Sequence, residues 1–139
     1  MIQIIAGEKG KGKTKILLDK VNAEVSEAKG TVIYLDKSTK HMYEINNKIR
    51  LINVSDYCVE SASEFAGFVC GIISQDHDLE KIYLDSFLKI AYVNDDNFTA
   101  IIDKLDMIST KFDVDFVISI SKNAADLPEN ARKFVIVSL

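Results

Sequence analysis

The chain has 139 residues, 47% of them hydrophobic and 27% charged, with a formal net charge of −4. That size leaves room for one hydrophobic core, so a single domain over 1–139 is expected, and one proline with six glycines speaks against a low-complexity or disordered chain. The acidic balance weighs against a general nucleic-acid binder, and the longest apolar stretches, such as Phe68 to Ile73, fall far short of the roughly twenty residues that cross a bilayer, so no membrane insertion is expected.

The first residues, MIQIIAGEKG, lack the basic region and apolar block of a secretory signal, which makes a cytoplasmic location the expectation. In that compartment Cys58 and Cys70 are expected as free thiols. His41 and His77 match no zinc spacing with them.

In chain order, short β-rich runs alternate with amphipathic segments, the pattern of a parallel sheet covered by helices. Residues 2–6 form the first strand. A helix is expected from Lys13 to Lys29, with Ile16, Leu17, Val21 and Val25 on one face and Gly30 as its stop. Strands follow at 31–36 and 49–54, then a helix over 61–74 carrying Phe65, Phe68, Val69, Ile72 and Ile73. The run at 81–85 is the next strand. Apolar positions at Ile101, Ile102, Leu105 and Ile108 predict a helix over 97–112, and 115–121 reads as a central strand buried on both faces. A short helical turn at 126–131, broken by Pro128, leads to a last strand at 133–139. Ile-Tyr-Leu-Asp occurs twice, at 33–36 and 82–85, too short to establish a repeat, yet each copy puts an aspartate where a strand stops.

The segment Gly7-Glu8-Lys9-Gly10-Lys11-Gly12-Lys13-Thr14 satisfies G-x-x-x-x-G-K-[ST], directly after a predicted strand and opening a predicted helix. In that context backbone amides and a helix dipole face an anion. Gly7, Gly10 and Gly12 allow the loop to curl around phosphates. Lys13 is expected to reach the β- and γ-phosphates as the catalytic cation, and the Thr14 hydroxyl to ligate Mg²⁺.

With this motif the sequence resembles the P-loop NTPase superfamily over most of its length, which implies a three-layer, doubly wound, mostly parallel α/β sheet and ATP with Mg²⁺ as ligands. Glu8 stands where one loop variant carries an extra lysine, so Lys9 and Lys11 are read as additions to the positive field. The resemblance calls for a metal-coordinating aspartate at a strand end. Asp85 is favoured for the metal, with Asp36 the other candidate.

The GTPase signatures are missing, because Asp85-Ser86-Phe87-Leu88 and Ser121-Lys122-Asn123-Ala124 depart from D-x-x-G and N-K-x-D. Only Arg50 and Arg132 could serve a phosphoryl-transfer site, which weighs against a small-molecule kinase. The layout is more similar to the branch with an additional strand between the loop-bearing and metal-binding strands, which includes RecA-like, KaiC-like and pilus-retraction ATPases. By this resemblance 115–121 is the added strand, and Ser121, with Ser119 as the second choice, sits near the γ-phosphate. Many members carry a glutamate after the metal aspartate; here that place is Ser86. RecA-like members carry a carboxylate at the end of the next strand, which Asp36 matches with a shorter side chain. The expectation is an ATP-binding protein with slow ATPase activity, or activity that depends on a partner or a second copy. A nucleotide-sensing module that never hydrolyses is the alternative.

Overall fold

The computed structural model describes residues 1–139. Six strands form one sheet: β1 (Ile2–Ala6), β2 (Thr31–Asp36), β3 (Arg50–Asn53), β4 (Leu79–Leu84), β5 (Asp115–Ile120) and β6 (Val135–Ser138). Their spatial order is β3-β2-β4-β5-β1-β6, and every neighbouring pair is parallel. The expected added strand, β5, lies between β1 and β4. Parallel pairing requires crossovers, and the chain supplies them with α1 (Lys13–Val25), α2 (Ala62–Ser74), the single turn α3 (Phe87–Ile90), α4 (Phe98–Phe112) and the short α5 (Glu129–Arg132).

Alternation along the strands divides the core by sheet face. Ile4, Ile33, Ile82 and Ile118 pack with α2 and α4 in the larger cluster, anchored by Phe65, Phe98 and Phe116. Ile5, Val32, Tyr34, Tyr83 and Val117 point to the other face, where Leu17, Leu18 and Val21 of α1 cover them. The sheet is therefore buried on both sides, which is why its central strands read as nearly continuous apolar runs.

Several boundaries differ from expectation. Helix α1 stops at Val25 rather than Lys29, because the amides of Glu27 and Ala28 turn back onto the Glu24 carbonyl and close the last turn early. Gly30 acts at a crossing rather than as a cap: a Cβ there would lie 1.9 Å from the Asp78 carbonyl oxygen. Pro128 does not break a helix but caps one: α5 begins at the next residue, and the Ala131 and Arg132 amides donate to the Pro128 carbonyl. Ser61 caps α2 as an acceptor for the Glu64 amide at 3.1 Å.

The repeated tetrapeptide has a structural counterpart. Strands β2 and β4 are neighbours in a register that sets Ile33 beside Ile82, Tyr34 beside Tyr83 and Leu35 beside Leu84. Asp36 and Asp85 thus end adjacent strands at the same height, tied by the Asp85 amide donating to the Leu35 carbonyl at 2.9 Å.

Candidate functional site

A polar cavity of about 580 Å³ opens at the carboxyl ends of the strands, where the loop after β1 meets β4 and β5. The loop runs from the end of β1 to Gly12, which adopts φ 92° and leads directly into α1; Gly10 has φ 86°. No other atom lies within 4 Å of where a Cβ would stand at either glycine, so their backbone conformation, not crowding, requires the residue type. Gly7 is different. A Cβ there would meet the Leu139 Cβ at 2.9 Å, because the Leu139 amide hydrogen-bonds the Ala6 carbonyl.

Within the loop the Lys11 amide donates to Glu8, but the amides of Lys9, Gly10, Gly12, Lys13 and Thr14 donate to no protein acceptor. They form a set of free donors at the start of a helix, the arrangement that fits an anion. Lys13 is 7% exposed and folds back so that Nζ donates to the Glu8 carbonyl at 3.0 Å. Burial pushes its pKa below the ordinary lysine value, with the Asp85 carboxylate opposing that shift.

Asp85 immediately follows β4 and is 3% exposed. Its Oδ1 accepts from Thr14 Oγ1 at 3.3 Å, the Ser86 amide at 2.9 Å and Ser119 Oγ at 2.7 Å, and its Oδ2 accepts from the Tyr34 hydroxyl at 2.8 Å. Four donors hold one carboxylate in one orientation. Ser86 makes this possible by adopting φ 54°, which turns its amide onto both Asp85 and Ser119 Oγ. Burial, reinforced by Asp85, raises the Tyr34 hydroxyl far above the ordinary tyrosine range, so it stays a donor.

Asp36 is also 3% exposed, and Oδ1 accepts from the Lys37 amide at 2.7 Å. Burial, then the neighbouring charge of Asp85, raises its pKa above the ordinary carboxylate value. It does not line the cavity, and neither do Gly7, Glu8 and Lys11. The Glu8 carboxylate instead accepts from Asn123 Nδ2 at 3.0 Å. Ser121 and Ser119 both border the cavity, but only Ser119, buried on β5, touches Asp85.

The structure thus brings together Lys13, Thr14, Asp85 and the free loop amides. Their chemistry suits a magnesium-bound polyphosphate: amides and an ammonium for phosphate oxygens, with one hydroxyl and one carboxylate for a hard cation that keeps water and substrate oxygens as its other ligands. No group of three or more acidic, histidine or cysteine side chains is placed to hold a metal ion. Sequence reasoning did not place Tyr34 against Asp85, nor Lys37 and Lys89 at the cavity. The repeated tetrapeptide carried a signal for Tyr34, since placing both copies on adjacent strands sets that hydroxyl beside Asp85. A second cleft of about 520 Å³, between α2 and α4, is lined largely by Ala62, Ala66, Gly67, Cys70 and Ala100 and has no comparable set of donors.

Comparison with solved structures matches this architecture. The chain superposes on the flagellar accessory protein FlaH from Methanocaldococcus jannaschii with TM-score 0.60 at 15% identity, over 92% of this chain and 63% of that one. It superposes on a KaiC-like protein from Pyrococcus horikoshii with TM-score 0.64, also at 15% identity, over 98% of this chain and 69% of that one. The chain has the P-loop NTPase fold. It spans less than two thirds of the FlaH chain, and at this identity the likeness concerns fold alone. No protein-family model matches the sequence, and comparison with curated proteins finds no match. No helix is long and apolar enough to cross a membrane.

Proposed function

We propose that this chain is a magnesium-dependent ATP-binding protein whose site is the loop Gly7–Thr14 together with Asp85. The observation that carries the reading is the set of loop amides from Lys9 to Thr14 that have no protein acceptor, gathered at the start of α1 beside Lys13. In this reading Lys13 leaves the Glu8 carbonyl for phosphate oxygens. Thr14 and Asp85 hold magnesium, Asp85 directly or through water, and Ser119 and Tyr34 keep that carboxylate aimed. Bound magnesium would neutralise phosphate charge and orient the terminal phosphoryl group.

Turnover in this reading is slow or depends on a partner or a second copy. Ser86 stands directly after Asp85, and Asp36, the remaining carboxylate for orienting water, is turned onto the Lys37 amide. That same geometry supports the second reading, a nucleotide-sensing module that binds and releases without hydrolysis. A small-molecule kinase is the least supported, since neither Arg50 nor Arg132 lines the cavity. Titration with ATP, GTP and their diphosphates, with magnesium and with chelator, tests binding: the expected result is magnesium-enhanced ATP affinity, and no binding of any nucleotide would refute the reading. Single-turnover phosphate release then separates the slow ATPase from the sensor.

A further inference from the structure

Besides Lys13, four lysines line the same cavity: Lys9 in the loop after β1, Lys37 and Lys40 after β2, and Lys89 on α3. None belongs to an ion pair, whereas Lys15, Lys20, Lys81 and Lys122 each have a carboxylate partner.

The fold holds these lysines near one another. The Lys37 amide is fixed by buried Asp36, and Lys89 is carried between buried Phe87 and Ile90. Contact with Lys37, and then the charge of Lys9, lowers the pKa of Lys89, as expected when like charges converge. An anion among them would remove that repulsion. Asp85 is the one carboxylate bordering the cavity, and its oxygens already accept from four donors, Thr14 of α1, Tyr34 of β2, Ser119 of β5 and the Ser86 amide. The cluster therefore has no protein carboxylate positioned to neutralise it, and arginine is absent from the cavity.

We propose that Lys37 and Lys89, with Lys9 lining the same cavity, clamp the terminal phosphate of a nucleoside triphosphate and set the preference for triphosphate over diphosphate. The inference rests on the nucleotide-binding reading and extends it. Loop amides hold the inner phosphates and Lys13 bridges from them to the terminal phosphate, which Lys9, Lys37 and Lys89 of the same cavity also face. The charge facing the terminal phosphate is thus supplied by this chain itself.

The test compares ATP, ADP, inorganic tripolyphosphate and pyrophosphate binding, with magnesium, to the wild type, Lys37→Ala, Lys89→Ala, the double variant, Lys89→Arg and the surface control Lys48→Ala. Lys37, Lys89 and Lys48 are exposed, so folding should be preserved, which circular dichroism verifies. The double variant is expected to lose at least about tenfold in ATP affinity while ADP changes by less than about twofold. Lys89→Arg restores most of the loss, and Lys48→Ala matches wild type. An unchanged ATP-to-ADP preference in a double variant that still binds ATP overturns the clamp and leaves the nucleotide reading standing. Lysine-dependent binding of tripolyphosphate without binding of any nucleotide refutes the nucleotide reading and overturns the clamp as a nucleotide clamp. Binding of none of the four probes by the wild type overturns both.

Discussion

At the scale of single residues, the two strand-end aspartates differ because their surroundings differ. Asp85 is surrounded by donors, whereas Asp36 has the backbone of Lys37 and the repulsion of Asp85. Because the folded-state pKa of Asp36 is raised, the folded protein favours its protonated form. Its contribution to stability is therefore greatest below the unfolded carboxylate pKa, about 4, and is lost as pH rises through the folded value. Asp36→Asn should raise the melting temperature of the ligand-free protein at pH 7, and the gain should shrink towards pH 4. If Asp36 orients water, the same variant keeps ATP affinity but hydrolyses at least about tenfold more slowly in single turnover. Wild-type hydrolysis by Asp36→Asn would remove that role while leaving the stability effect intact. Lys13→Ala is the complementary case, because it removes a buried ammonium whose hydrogen bond goes to the Glu8 carbonyl of the loop itself. ATP affinity should fall by about tenfold or more with the far-ultraviolet spectrum unchanged, and equal affinity in a folded variant would rule out its phosphate role.

At the scale of elements, α1 must hold its start against the loop and its end against the sheet. Its last turn is held by Glu24, whose carboxylate accepts from Tyr83 Oη and pairs with Lys81 at 2.8 Å and Lys20 at 2.9 Å. Partial burial pushes the Glu24 pKa upward, but hydrogen bonds from Lys81, Tyr83 and Lys20 outweigh it and hold the pKa down to about 2. A depressed carboxylate stabilises the fold above its unfolded pKa, near 4.3, and loses that contribution as pH falls towards 2. Glu24→Gln should cost roughly 1–2 kcal/mol at pH 7, discounted for partial exposure, with little difference from wild type near pH 2. Equal urea midpoints at pH 7 would show that this tie is not stabilising. The elements also show what local sequence can specify. The bounds of β1 and β2 were legible because dense apolar runs end at glycine or aspartate, and the loop Gly7–Thr14 because its chemistry is consecutive in sequence. The single turn α3 was not, since four residues are too few to reveal a helical period. The early end of α1 depends on backbone bonds to Glu24, which no side-chain pattern announces.

At the scale of the whole molecule, the less legible part of the site depends on strand order. Tyr34 and Ser119 reach Asp85 from opposite neighbours only because β4 lies between β2 and β5, and Lys37 and Lys89 meet only after those strand ends align. The same dependence makes the site a property of the folded state, since an unfolded chain cannot hold the loop, Asp85 and the lysines around one polyphosphate. A ligand that binds only the folded state stabilises it by mass action, by about 2.7 kcal/mol at a hundred times its dissociation constant. For a chain of this size that corresponds to a rise in melting temperature of roughly 6–10 °C. Scanning calorimetry with ATP and magnesium should show this rise, a smaller one with ATP and chelator, and about half the rise for Lys13→Ala at the same ATP concentration, as a tenfold loss of affinity requires. The double Lys37→Ala, Lys89→Ala variant should lose most of the difference between ATP and ADP. A wild-type melting temperature that does not move at concentrations where titration is saturated would mean that ATP binds folded and unfolded chains alike, and the assembled cavity could not be its site.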